Sequence, residues 1–269
     1  MRLGLPDHIV ACLFDLDGVL TQTATVHEAA WKQMFDTYLH DRAAQIGPPE
    51  APLKAPDKNR APLKAPDKKG PFRAFEEADY DRYVDGKPRY DGVRSFLESR
   101  GIDLPEGSHD DPPGAETIGG LGNRKNQLVL DLIRSQGVKP YEGSVRYVHA
   151  VIEAGLQRAV VSSSTNCHDV LVAAGIADLF DTIVDGHIAE QRHLRGKPAP
   201  DTFLEAAKEL GVAPGDAAVF EDALAGVEAG RAGGFGAVVG VDRVGQAKEL
   251  LAHGADIVVS DLAELVGER

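Results

Sequence analysis

Apolar residues along the chain follow two rhythms. Six short runs, Ile9–Leu16, Arg158–Ser163, Thr182–Asp185, Ala217–Glu221, Ala237–Val241 and Ile257–Ser260, are largely hydrophobic and bounded by Gly, Asp or Ser. Runs of that length and bounding predict buried strands. Between the later runs, Ala199–Leu210, Ala223–Ala232 and Gly245–His253 carry helical periodicity. Pro198 and Pro200 suit the start of a helix and Gly211 its C-terminal cap. Strand and helix in alternation predict βαβ units, so the expected fold class is α/β, with a doubly wound, Rossmann-like parallel sheet.

The interval from about Thr25 to Gln136 has a different pattern. It holds helical periodicity, as in His27–Arg42 and Arg124–Ser135, and no clear strand run. More than a hundred residues thus separate the first strand from the next, too many for one crossover. The expected organisation is a core of 1–23 and 141–269 with an inserted helical domain of 24–140. Within the insert, Ala51–Lys58 recurs identically as Ala61–Lys68, and seven of the chain's 16 prolines lie between Pro48 and Pro71. Proline at that density opposes both helix and sheet pairing, which predicts an extended surface loop over about 48–71. Two copies are too few for a solenoid.

Composition narrows the classes. A formal net charge of −13 argues against a general nucleic-acid binder, because phosphate backbones are held by basic surfaces. It does not exclude a small phosphorylated substrate, for which a few local cations suffice. Two cysteines provide neither a disulfide framework nor a zinc spacing. Cys12 falls in an apolar run and is expected in the core; Cys167 follows a Ser-rich turn, a position compatible with exposure. The first eight residues have no apolar signal region and no run of about 18 apolar residues occurs, so neither export nor a membrane span is expected and the cytoplasm is the simplest compartment.

The chemistry-bearing residues sit at strand ends. The first strand runs into Asp15-Leu16-Asp17-Gly18, another into Ser162-Ser163-Ser164-Thr165-Asn166, and another into Glu221-Asp222; Gly196-Lys197-Pro198 opens a helix. In open α/β sheets, ligands gather at the carboxyl ends of strands. Asp-Gly alone is ordinary turn chemistry, and Glu221-Asp222 alone can stabilise a helix start. Together they are more specific. Like charges about 4 Å apart repel by roughly 4 kcal/mol at an effective dielectric of 20, so clustering Asp15, Asp17 and Asp222 demands a cation. Hard oxygen ligands favour Mg²⁺. The hydroxyls and backbone N–H groups of Ser162–Ser164 suit phosphoryl oxygens, and Lys197 adds a positive charge. Fixed donors and a metal are the requirements of phosphoryl transfer.

On these four motifs the chain resembles the haloacid dehalogenase superfamily over nearly its whole length. Further residues resemble its β-phosphoglucomutase branch: Phe14–Leu20 followed by Thr21-Gln22-Thr23-Ala24 and His27, Val84-Asp85-Gly86-Lys87-Pro88-Arg89, Asn123-Arg124-Lys125-Asn126, and Trp31. The chain departs from the branch at Asp85 and Thr165, where lysine is usual, at Gln22, where aspartate is usual, and in the proline-rich insert; these changes bear on the choice of sugar.

The resemblance implies that Asp15 is the nucleophile and Asp17 the general acid/base, with Ser162 and Lys197 assisting. It implies Asp15, Asp17, Glu221 and Asp222 around Mg²⁺. Substrate would be met by Thr23, His27, Trp31, Gly86, Arg89, Lys125 and the Ser162–Asn166 loop, including Ser163, Ser164 and Thr165. The 24–140 insert would be a helical cap. The implied reaction converts β-D-glucose 1-phosphate to glucose 6-phosphate through an aspartyl-phosphate and a sugar bisphosphate, with a disaccharide phosphorylase as a pathway partner. The rival readings are a phosphatase acting on small phosphomonoesters, and a non-catalytic module that binds a phospho-ligand.

Overall fold

A computed structural model of the chain describes residues 3–46 and 71–267. The duplicated Ala51–Lys58 and Ala61–Lys68 segments lie outside the described residues. The chain divides into two compact units, one of Met1–Thr25, Asp85–Pro88 and Ile133–Arg269, the other of Val26–Val84 and Arg89–Leu132.

The first unit is built on six parallel strands: β1 Ala11–Phe14, β2 Gln157–Val161, β3 Thr182–Val184, β4 Ala217–Glu221, β5 Ala237–Val241 and β6 Ile257–Val259. Their order is β3-β2-β1-β4-β5-β6. All six were legible as apolar runs, and they form the doubly wound α/β sheet expected. The chain winds to one side of β1 through β2 and β3, and to the other through β4, β5 and β6. The switch therefore falls between β1 and β4, where Phe14 is in register with Phe220. The crevice beyond the carboxyl ends of β1 and β4 is where such a sheet binds ligand.

Alternation along the strands sends side chains to two separate cores. Cys12, Phe14, Val160, Ala218 and Phe220 pack on one face with Tyr147 and Val148 of the helix Glu142–Glu153. Phe14 stacks on Phe220 at 4.6 Å, and Tyr147 meets Phe14 edge-on at 6.2 Å. Ala11, Leu13, Val161, Ala217 and Val219 pack on the other face with Phe203, Ala206 and Ala207 of the helix Asp201–Leu210. Gly211 ends that helix with φ +72, the left-handed cap expected of it. Ala199 lies outside the helix, since Pro200 takes the N-cap position. Cys12 is buried, as expected. Cys167 is also fully buried: it opens the helix Cys167–Ala173 on the inward face, so the exposure that its turn position allowed is not realised.

The second unit has no strand among its described residues. Its helices include Ala24–Ile46, Arg89–Ser99 and Ile118–Gln136, with a π-helical turn over Tyr80–Val84. Phe35 is the hub of its core, with ring contacts to Trp31 at 5.2 Å, Phe75 at 5.3 Å and Phe96 at 4.0 Å. Beside it, buried Asp79 accepts a bidentate pair from Arg73 at 2.8 and 2.9 Å and a further bond from Arg100 at 2.6 Å. No helix among the described residues is long and apolar enough to cross a membrane.

Candidate active site

Asp15 is the first residue past β1, and its N–H donates to Phe220 O at 2.9 Å. That bond ties the nucleophile candidate to the adjacent strand β4, whose last residue is Glu221. Lys197 reaches in from the segment before Asp201–Leu210. Its ammonium lies 2.5 Å from Asp15 Oδ1 and 2.5 Å from Glu221 Oε1, and donates to Val161 O at 3.1 Å. The lysine is 3% exposed. Carboxylate oxygens of Asp15, Glu221 and Asp222 lie within 4.8 Å of one another.

Charge at this point is unbalanced. Burial pushes the Asp15 carboxyl well above the ordinary aspartate value; Lys197 opposes that shift, while Glu221 and Asp17 add to it. Burial does the same to Asp222, reinforced by Asp85, Asp15, Glu221 and Asp17. Burial works against the Lys197 ammonium, but Asp15 and Glu221 outweigh it and raise its pKa above the lysine norm. One fixed ammonium thus faces a larger group of buried carboxyls, and an all-oxygen donor set of this kind fits a hard divalent cation.

Asp17 is not one of those three grouped carboxylates, although its charge bears on Asp15 and Asp222. Its carboxylate accepts a hydrogen bond from the Thr23 hydroxyl, which in turn lies 2.6 Å from Thr21 Oγ. Both threonines are buried. Thr21 was not singled out from the sequence; the signal was the Thr-x-Thr spacing directly after the Asp-Gly turn. Gly18 makes that turn at φ +88, a conformation L side chains avoid.

The hydroxyl-rich loop extends from β2. Ser162 N–H donates to Val184 O at 3.0 Å and Ser164 N–H to Ser162 Oγ at 3.1 Å. The Ser162 N–H is thus taken up by strand β3 and the Ser164 N–H by the loop's own turn, so the hydroxyls are the groups of these two residues left to meet phosphoryl oxygens. Asn166 N–H likewise donates to Ser164 Oγ at 3.1 Å. Ser162 and Ser164 accept through their oxygens, so each hydroxyl proton remains the group that can donate to a phosphate. Ser163 Oγ donates to Gly86 O at 2.9 Å. Gly86, at φ +69, is part of the Asp85–Pro88 segment that groups with the first unit, and a β-carbon there would sit 3.1 Å from Ala223.

Four of the anticipated residues lie in the second unit. Lys125 is 6% exposed, and its ammonium is 3.0 Å from His27 Nδ1 and 4.8 Å from the Trp31 ring centre. Trp31 is buried in the aromatic core. Arg89 opens the helix Arg89–Ser99 with its guanidinium 5.0 Å from the Tyr90 ring. Lys125, His27 and Trp31 are thus brought together. Arg89 packs towards Gly122, one turn before Lys125 on the helix Ile118–Gln136.

A buried carboxylate at a strand end, a buried lysine and an acidic metal-type cluster at the switch point of a doubly wound sheet define a phosphoryl-transfer class of site. The family follows from comparison: residues 9–234 match the model of haloacid dehalogenase-like hydrolases, and the chain belongs to that family. Among its relatives is a β-phosphoglucomutase of Mycobacterium bovis, 53% identical over 267 residues that span 98% of this chain and 94% of that protein. A Mycobacterium tuberculosis protein named as an uncharacterized glycosyl hydrolase is 36% identical over 253 residues, which span 94% of this chain and 17% of that protein. The crystal structure of a Clostridium difficile β-phosphoglucomutase superposes with a TM-score of 0.69 at 25% identity, covering 96% of this chain and 93% of that one.

Proposed function

We propose that this chain is a phosphomutase that converts β-D-glucose 1-phosphate into glucose 6-phosphate. The 53% identity to the mycobacterial β-phosphoglucomutase, sustained over nearly both full lengths, carries that choice. The geometry around Asp15 supports the chemistry.

In this reading Asp15, Glu221 and Asp222 would hold Mg²⁺, which would supply charge neutralisation for the transferring phosphoryl group. Asp15 carries that group as an aspartyl-phosphate. Asp17 takes the proton from the sugar O6 as it attacks the phosphorus, giving glucose 1,6-bisphosphate and free Asp15. The bisphosphate then binds in the opposite orientation. Asp15 attacks the C1 phosphate, and Asp17 returns the proton to the departing O1. The hydrogen bond from Thr23 holds the Asp17 carboxylate in place for this exchange. Lys197 and the Ser162 hydroxyl steady the phosphoryl oxygens.

Within the 24–140 insert, the unit of Val26–Val84 and Arg89–Leu132 serves as a cap. His27, Trp31, Arg89 and Lys125 belong to the recognition of the distant phosphate and sugar, as do Gly86 and the Ser163–Asn166 loop. A glycoside phosphorylase is the proposed source of β-glucose 1-phosphate. The relative named as a glycosyl hydrolase, in which a region like this chain is part of a much longer protein, supports a link to glycoside chemistry.

A phosphatase uses the same core aspartates, and the hydrolase family description favours it as the second reading. Incubation with β-glucose 1-phosphate, Mg²⁺ and a trace of glucose 1,6-bisphosphate separates the two. The mutase yields glucose 6-phosphate with phosphate retained; mainly free phosphate would overturn it in favour of the phosphatase.

A further inference from the structure

The loop after β5 touches both halves of the acidic site, and no motif in the sequence marks it. Arg243 Nε donates to Gly18 O at 2.8 Å, in the turn that follows Asp15 and Asp17. Three residues on, Gln246 Nε2 donates to Asp222 O at 3.0 Å. One loop therefore grips the backbone of both segments that carry the clustered carboxylates.

The loop is itself built to be rigid. Asp242 Oδ1 accepts from the N–H groups of Val244, Gly245 and Gln246 at 3.2, 2.7 and 2.8 Å. The Arg243 guanidinium lies 3.6 Å from the Tyr141 ring centre, and its Nη1 donates to Ser260 O at 2.7 Å. Tyr141 belongs to a strap that pairs with the nucleophile turn: its N–H donates to Leu20 O, and Gln22 N–H donates to Lys139 O, both at 2.9 Å. Arg243 thus braces the turn from its carbonyl and from its strap.

This placement is not what stability alone would select. Arg243 Nη2 is buried with no hydrogen-bond partner among the described residues, and Asp261 Oδ2 lies 3.9 Å from Nη1. A buried donor left unsatisfied destabilises the fold. Departures of that kind concentrate where function requires them.

We propose that Arg243 and Gln246 are positioning residues that clamp the Gly18 and Asp222 carbonyls. They thereby fix the separation of the carboxylates that hold the divalent cation. The proposal rests on the metal role assigned above to Asp15, Glu221 and Asp222, and on no choice of sugar.

The test is cation affinity in the full-length protein, measured with Mn²⁺ by electron paramagnetic resonance and with Mg²⁺ by calorimetry, alongside kcat and KM. Arg243→Ala and Gln246→Ala are expected to weaken cation binding and lower kcat by about 10–100-fold, the scale for residues that orient a metal's ligands. KM for sugar phosphate should move far less. Added guanidinium should restore part of the Arg243→Ala loss. Val244→Ala, at an exposed neighbour, should match wild type. Unchanged cation affinity and kcat in Arg243→Ala, even with a lowered melting temperature, would overturn the clamp. Should Arg243→Ala fail to fold, unchanged cation affinity in Gln246→Ala would overturn it equally. Wild type that binds cation yet releases only free phosphate would sink the mutase reading and leave the clamp to stand or fall on cation affinity.

Discussion

Gly18 lies so close to Asp222 that a β-carbon at position 18 would overlap the Asp222 carboxylate. The turn carrying the two N-terminal aspartates and the acidic end of β4 therefore meet through a bare backbone. Two constraints act on this glycine at once, the contact and its φ of +88. Gly18→Ala must either displace Asp222 or distort the turn, and the left-handed backbone adds about 1–2 kcal/mol of strain. The expected outcome is at least a tenfold loss of Mg²⁺ affinity, read by calorimetry, with a lowered melting temperature. Wild-type affinity in this variant would show that the Gly18 contact does not bear on the metal cluster.

Asp15 and Asp17 differ in their surroundings, and their substitutions should differ in kind. Asp15→Asn removes the proposed nucleophile from beside Lys197 while keeping its shape, so turnover should vanish and no phosphoryl adduct should form on the intact protein by mass spectrometry. Asp17→Asn retains the nucleophile but loses a proton carrier, worth about 10²–10⁴-fold. It should still take up phosphate from an activated donor such as acetyl phosphate and then pass it on slowly. Equal adduct formation by wild type and Asp15→Asn would remove Asp15 from the role.

Much of this site was legible in the chain because strand ends announce themselves. An apolar run closing on Asp15-Leu16-Asp17-Gly18 or on Glu221-Asp222 states both its burial and its exit point, and parallel topology then brings those exits together. What could not be read was the support. Arg243 and Gln246 act on backbone carbonyls, which leave no trace in residue type at the receiving end. Thr21 was hidden in an ordinary turn. The burial of Cys167 was not legible because a Ser-rich turn is compatible with solvent, whereas the inward face of a seven-residue helix decided it. In the helical insert, periodicity over His27–Arg42 and Arg124–Ser135 marked parts of the helices Ala24–Ile46 and Ile118–Gln136, but the π-turn Tyr80–Val84 has a spacing that neither the α-helix nor the strand template describes.

Proton and cation should compete at the acidic cluster. Burial raises the carboxyls of Asp15 and Asp222, so without metal the folded chain binds more protons than the unfolded one above the usual aspartate range. Stability of the metal-free protein from these groups accordingly falls as pH rises through their raised values. The raised lysine value of Lys197 lies too high to matter in that window. On the proposed metal role, Mg²⁺ would replace the protons and stabilise by mass action, most where fewest protons must be displaced. The rise in melting temperature on adding Mg²⁺ should be larger at about pH 8 than at about pH 6. A larger gain at the acidic end would contradict the assignment of these carboxyls to the cation.

The second unit depends on one buried carboxylate. Asp79 is 2% exposed and accepts from Arg73, Arg100 and the Glu76 N–H, while Arg100 also reaches Arg73 O at 3.1 Å and packs its guanidinium 4.6 Å from the Phe96 ring centre. The aspartate thus ties the chain entering at Arg73 to the end of Arg89–Ser99, directly against the aromatic core. Removing it takes a shared anion from two arginines: Arg73 keeps Glu76 Oε2 at 3.3 Å, whereas Arg100 is 3% exposed and loses its 2.6 Å bond to the carboxylate. Breaking a buried pair from one side costs about 3–5 kcal/mol. Asp79→Ala should therefore lower the stability of this unit by that amount in urea, followed by the fluorescence of Trp31, the chain's single tryptophan, which lies in the same core. Asp79→Asn keeps an acceptor but not the charge, and should fall between the two. A loss below about 1 kcal/mol in Asp79→Ala would mean that the arginines find water or other anions, and that the pair orders the segment without holding it.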